Sequence, residues 1–137
     1  RLITEIIEST SVIIDLDDER DLDKITAISG SGPAYFLLFQ EMLTKSAIKL
    51  GLRPSIANTL VKETMRGTSA LVTSSDLSFN ELRQQVTSKG GTTAAAVDSF
   101  MKGGIETLVD DAVHAAHRRS TELSRADDEK VSKNEWH

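Results

Sequence analysis

The chain has 137 residues, enough for one domain with a core, and its 39% hydrophobic and 27% charged residues are the mix of a globular protein. A formal charge of -5, with Arg118-Arg119 the only local basic pair, argues against nucleic acid as a partner. Cysteine is absent, which excludes a disulfide framework, a thiol nucleophile and a cysteine zinc site and fits a reducing compartment such as the cytoplasm; no apolar run approaches the roughly 20 residues of a membrane span, and no signal peptide is visible.

The chain starts at Arg1 rather than Met, which reads as part of something longer. Residues 1–7 form an amphipathic stretch suited to a short helix. Ser11-Val12-Ile13-Ile14-Asp15 then reads as a β-branched strand. One strand cannot make a sheet, so it is either an edge element of a missing domain or a strand paired across a dimer.

From Glu19 onward the pattern is helical. Leu22, Ile25 and Ile28 predict a short helix over residues 21–29, stopped by Gly30-Ser31-Gly32-Pro33. Pro33 opens the next helix, where its missing N–H costs nothing, and this helix runs to about Leu50 with Gly51 as its cap. Its start, Ala34-Tyr35-Phe36-Leu37-Leu38-Phe39, is apolar on nearly every side. It is expected to be central and buried, and it offers more apolar surface than a small monomer covers, which predicts self-association.

Pro54 opens a helix to about Ser74 that carries Ile56, Leu60, Val61, Leu71 and Val72, with small residues at Gly67-Thr68-Ser69-Ala70 suited to close helix contact. Ser78-Phe79-Asn80-Glu81 has the spacing of a capping box before a short helix to Val86. A helix to about Lys102 follows the glycine-threonine loop and breaks at Gly103-Gly104. The last helix has the most regular stripe, Ile105, Leu108, Val109, Ala112, Val113 and Ala116. Beyond Ser124 the chain turns polar, so residues 125–137, with an exposed Trp136, are expected to be disordered. The fold class is therefore all-α, a helical bundle.

Gln85-Val86-Thr87-Ser88-Lys89-Gly90-Gly91-Thr92-Thr93 carries the strongest chemical signal. A glycine-rich bend feeding a threonine-capped helix start aims backbone N–H groups, at the positive end of a helix dipole, toward a small anion. The same residues also make an ordinary capped turn between helices. Other constellations are weaker. Asp110, His114 and His117 lack zincin spacing, and no metal is expected. Tyr35 is a possible proton donor or a core tyrosine with a bonded hydroxyl. Ser31 sits in no G-x-S-x-G pattern, and no G-x-G-x-x-G follows a strand, so the chain binds no dinucleotide on its own.

Ser29-Gly30-Ser31-Gly32-Pro33-Ala34-Tyr35, followed about fifty residues later by Val86 to Thr93, resembles the C-terminal domain of pyrroline-5-carboxylate reductases. Leu50-Gly51-Leu52 with nearby Pro54, Glu81-Leu82-Arg83 and Gly103-Gly104 support it, and the likeness covers roughly residues 13–123. The resemblance implies an enzyme that reduces 1-pyrroline-5-carboxylate to L-proline with NADPH or NADH in proline biosynthesis. It implies a Rossmann domain ahead of this chain, with residues 1–16 as its remnant and residues 17–124 as the helical dimerisation and substrate domain. It further implies an interlocked homodimer with active sites at the interface, decamers in many members, and an inactive fragment when this chain stands alone.

On the same basis Ser88, Gly90, Gly91, Thr92 and Thr93 form the substrate loop. The amides of Gly91, Thr92 and Thr93 hold the carboxylate, and the Thr93 hydroxyl faces the ring nitrogen. Pro33 lies near the nicotinamide. No catalytic acid is assigned. Lys89 departs from the proline common in the family, which relaxes φ in the loop. The other reading of the chain is a non-catalytic helical oligomerisation or binding module.

Overall fold

The computed structural model describes residues 14–134, and every regular element among them is helical. The expected helix at residues 1–7, most of the expected strand and Trp136 lie outside the described residues. Ile14 and Asp15, its last two positions, are not in a strand.

The first helix, α1 (Asp21–Ile25), carries Asp21 and Asp23 in its first turn and Lys24 in its last, matching the helix dipole at both ends. The expected single helix over residues 21–29 instead widens into a π turn, Thr26–Gly30. Ser31 N–H reaches back five residues to the Thr26 carbonyl at 2.9 Å. The segment holds two β-branched residues and a glycine, so α-helical winding has little intrinsic advantage there.

Helix α2 (Gly32–Lys49) starts one residue before Pro33 and ends in a Schellman motif. Gly51 N–H bonds Ile48 O at 2.9 Å, Leu52 N–H bonds Ala47 O at 3.2 Å, and Gly51 has φ +97°. The four-residue link to α3 (Pro54–Thr73) folds α3 back along α2, and Gln40 of α2 touches Met65 of α3. Helices α4 (Phe79–Gln85), α5 (Thr92–Lys102) and α6 (Ile105–Asn134) follow. Helix α6 packs on α1, the π turn and α5. Asp23 of α1 accepts hydrogen bonds from Ser120 Oγ at 2.6 Å and Ser124 Oγ at 3.0 Å of α6. Phe39 of α2 meets Phe100 of α5 with ring centroids 5.8 Å apart.

Helix α6 runs on to Asn134, with neither glycine nor proline after Gly104 to stop it. One expectation is corrected: α2 is not buried within the chain. Phe36 is 67% exposed and Leu37 62%, and among the described residues the buried hydrophobic ones are Ala27, Ala57 and Leu82. The α6 stripe is likewise uncovered at Leu108 and Val109. Apolar faces that the sequence marks as interior point outward from a single copy.

Candidate functional site

The site is built from the short helix α4 outward. Ser78 and Glu81 close a full capping box: Glu81 N–H donates to Ser78 Oγ at 3.3 Å and Ser78 N–H to Glu81 Oε2 at 2.9 Å. The Ser78 hydroxyl and then its amide hold the Glu81 carboxyl below its ordinary range. A serine cap of this kind stabilises a helix by about 1 kcal/mol. At the far end, Thr87 N–H bonds Gln84 O at 3.1 Å and Thr87 Oγ1 bonds Arg83 O at 2.6 Å, which pins the exit from α4.

Ser88, Lys89, Gly90 and Gly91 then form a tight turn closed by Gly91 N–H to Ser88 O at 3.0 Å. Gly90 has φ +74°, and no described non-glycine residue has positive φ, so Lys89 is negative and the turn is type II. Gly91 is needed for a different reason. A Cβ there would collide with Ser88 Oγ and stand 3.2 Å from Ser88 O.

Two details of the expected site change here. The helix cap is Gly91, in extended conformation with no side-chain cap bond, and the two threonines are the first two helical residues. The Gly91 amide is consumed by the turn, so it does not face outward as a carboxylate donor. Gly91 O in turn accepts Ala95 N–H at 3.2 Å. What remains open is the set at N1 to N3 of α5. The N–H groups of Thr92, Thr93 and Ala94 precede the first helical bond and have no acceptor among the described residues. Thr92 and Thr93 are exposed, and so are Ser88 and Gly90.

Pro33 is exposed at the second position of α2, directly after buried Gly32. No hydrogen bond joins it to residues 88–93, and the described clefts beside α2 and α3, between α1 and α6, and along α6 are not lined by those residues.

The weaker candidates resolve into local structure. His114 Nδ1 lies 2.9 Å from Asp110 O and 3.3 Å from Asp110 Oδ1 on an exposed face, and the described residues hold no cluster of three metal-ligating side chains. The Tyr35 hydroxyl donates to Ala27 O at 3.0 Å. Ser31 uses its backbone in the turn before α2, where its carbonyl accepts Ala34 N–H at 3.0 Å. The Asp23 contact with Ser120 and Ser124 was not foreseen, because its partners lie 97 and 101 residues away with no spacing to link them.

Residues 19–123 match the family described as pyrroline-5-carboxylate reductase dimerisation. The chain is 42% identical over 120 residues to the pyrroline-5-carboxylate reductase of Pseudomonas aeruginosa, covering 88% of this chain and 44% of that protein. It is 36% identical over 126 residues to the Staphylococcus haemolyticus enzyme of the same name, covering 92% and 46%. Among solved structures, the Coxiella burnetii pyrroline-5-carboxylate reductase superposes with a TM-score of 0.83 at 37% identity, over 89% of this chain and 45% of that one. The Plasmodium falciparum pyrroline carboxylate reductase, solved with NADP bound, gives 0.78 at 35% identity, over 89% and 46%. The chain thus spans about half the length of the relatives it matches. With motifs, fold and relatives in accord, the chain belongs to the pyrroline-5-carboxylate reductase dimerisation family.

Proposed function

We infer that this chain is the dimerisation and substrate-carboxylate half of a cytoplasmic enzyme that reduces 1-pyrroline-5-carboxylate to L-proline with NADPH or NADH. The observation that carries the reading is the acceptor-free row of amides at Thr92, Thr93 and Ala94, fixed in place by the type II turn. Backbone N–H groups at the positive end of an 11-residue helix favour a carboxylate without any conformational rearrangement. Ser88, Gly90 and Gly91 shape the bend rather than donate. The Thr93 hydroxyl, without a partner among the described residues, is assigned to the ring nitrogen side of the substrate.

The cofactor fits this chain only in part. No glycine-rich strand-to-helix turn is present for a pyrophosphate, so Pro33 is the single position assigned to the nicotinamide. NAD(P)H, when bound, supplies the hydride. The work of this chain is to hold the carboxylate and thereby aim the imine carbon.

A second copy completes the site in this reading. The exposed apolar faces of α2 and α6 are covered by the same faces of another protomer, and a decamer of such dimers is the further assembly that the resemblance implies.

The test is Thr93→Ala in the full-length enzyme. A moderate fall in kcat with a rise in KM for pyrroline-5-carboxylate is expected, since the hydroxyl positions rather than transfers the reacting group. An unchanged kcat/KM sinks the Thr93 role. On the chain itself, L-proline is expected to shift the NMR signals of the amides at residues 90–94. An unmoved spectrum, together with tight self-association, points instead to a non-catalytic oligomerisation module.

A further inference from the structure

The π turn between α1 and α2 leads directly into Pro33. In α-helical winding the Ala27 carbonyl would receive the Ser31 amide. Here Ser31 N–H is drawn one residue further back to Thr26 O at 2.9 Å, and Ala27 O receives the Tyr35 hydroxyl at 3.0 Å instead. Ser29 Oγ donates to Ile25 O at 3.0 Å, the back-bond that serine and threonine make along the other helices as well.

The surroundings make the Tyr35 bond more than incidental. Ala27 is 1% exposed, one of few buried residues among those described, and Gly32 is also buried. Helices α1, α2 and α6 all pack on this turn. Tyr35 is half-buried, and its ring lies within the first turn of α2, two residues after Pro33. A π turn has no general advantage over an α turn and persists where tertiary contacts impose it. The hydroxyl supplies such a contact, because a buried carbonyl left without a donor is costly.

We propose that the Tyr35 hydroxyl is a positioning group: by taking the Ala27 carbonyl it locks the π register and so fixes the segment from Ser29 to Pro33 against which the nicotinamide lies. This rests on the proposed reductase function. Tyr35 touches neither substrate nor cofactor in this scheme. It transfers no proton.

Tyr35→Phe keeps the ring and removes only the hydroxyl. In the full-length enzyme KM for NAD(P)H is expected to rise about fivefold, the equivalent of one ordinary hydrogen bond, with kcat and KM for pyrroline-5-carboxylate unchanged. In this chain, hydrogen exchange at the Ser31 amide is expected to accelerate, while exchange in α3 and α5 stays as in the wild type. A variant whose Ser31 exchange is unchanged, or whose kinetic constants for both substrates fall together, overturns the proposal and leaves the hydroxyl a mere stability contact. A wild-type enzyme without reductase activity overturns the proposed function itself, and this proposal with it.

Discussion

Lys89 occupies the second position of a type II turn, the place where proline is most at home. Its amide has no acceptor among the described residues, so proline would forfeit no hydrogen bond there. Lys89→Pro is therefore expected to stabilise the chain by about 0.4–1 kcal/mol, chiefly by restricting the unfolded state. Thermal unfolding would register this as a rise of a few degrees in Tm, and L-proline should bind more tightly because less ordering remains for the loop. The neighbouring position behaves oppositely. Gly90 sits at φ +74°, where any side chain costs about 1–2 kcal/mol, so Gly90→Ala should lower Tm and weaken L-proline binding together. A Lys89→Pro chain with lower Tm would mean that the turn is not type II in solution.

At the scale of elements, most helix ends were legible because their signals are local. Pro33 and Pro54 open helices, Gly51 closes one, and the Ser78–Glu81 pair forms the box its spacing announces. Each depends on residues within five positions of one another. The glycine-threonine loop was legible as a bend, but the fate of the Gly91 amide was not, since that follows from the closing bond of the turn. The π turn escaped notice because Tyr35 selects it from eight residues away, and α1 docks on α6 through Asp23 across almost the whole chain. That second contact has a pH signature. Ser120 foremost, then Ser124 and Thr121, and the charge of His117, hold the Asp23 carboxyl below its ordinary value. A carboxyl depressed in the folded state contributes stability above the ordinary carboxylate range and loses it as pH falls through the depressed value. Asp18, Glu19, Arg20, Lys24, His117 and Arg125 line the same cleft. Acidification below about pH 4 is thus expected to loosen α1 from α6, seen as faster amide exchange in α1 before α3 opens. Asp23→Asn should remove that acid-dependent step, and an unaltered profile in the variant would assign it to another group.

Among the described residues, Phe36, Leu37 and Leu38 on α2 and Leu108 and Val109 on α6 stand exposed in a single copy. Such faces suit an obligate interface, which removes roughly 2,000–5,000 Å² in total from two partners. Burial was the property least legible in the sequence for this reason: the pattern marks α2 as interior, and a single copy leaves it exposed. Folding and pairing should then be one transition, with Tm rising as protein concentration rises. A charge on the shared face tests this sharply. Phe36 is 67% exposed in one copy, and burying such a ring is worth about 1.5–3 kcal/mol. In a two-fold pairing each substitution occurs twice, so Phe36→Arg should cost at least about 3–6 kcal/mol per dimer, a loss of roughly 10²–10⁴ in association. Sedimentation would show a monomer at concentrations where the wild type is dimeric. Circular dichroism would show reduced helicity at the same time, because the buried hydrophobic residues among those described, Ala27, Ala57 and Leu82, are a small core to hold the helices of a lone chain. A Phe36→Arg protein that remains dimeric and fully helical would place the interface elsewhere on the surface.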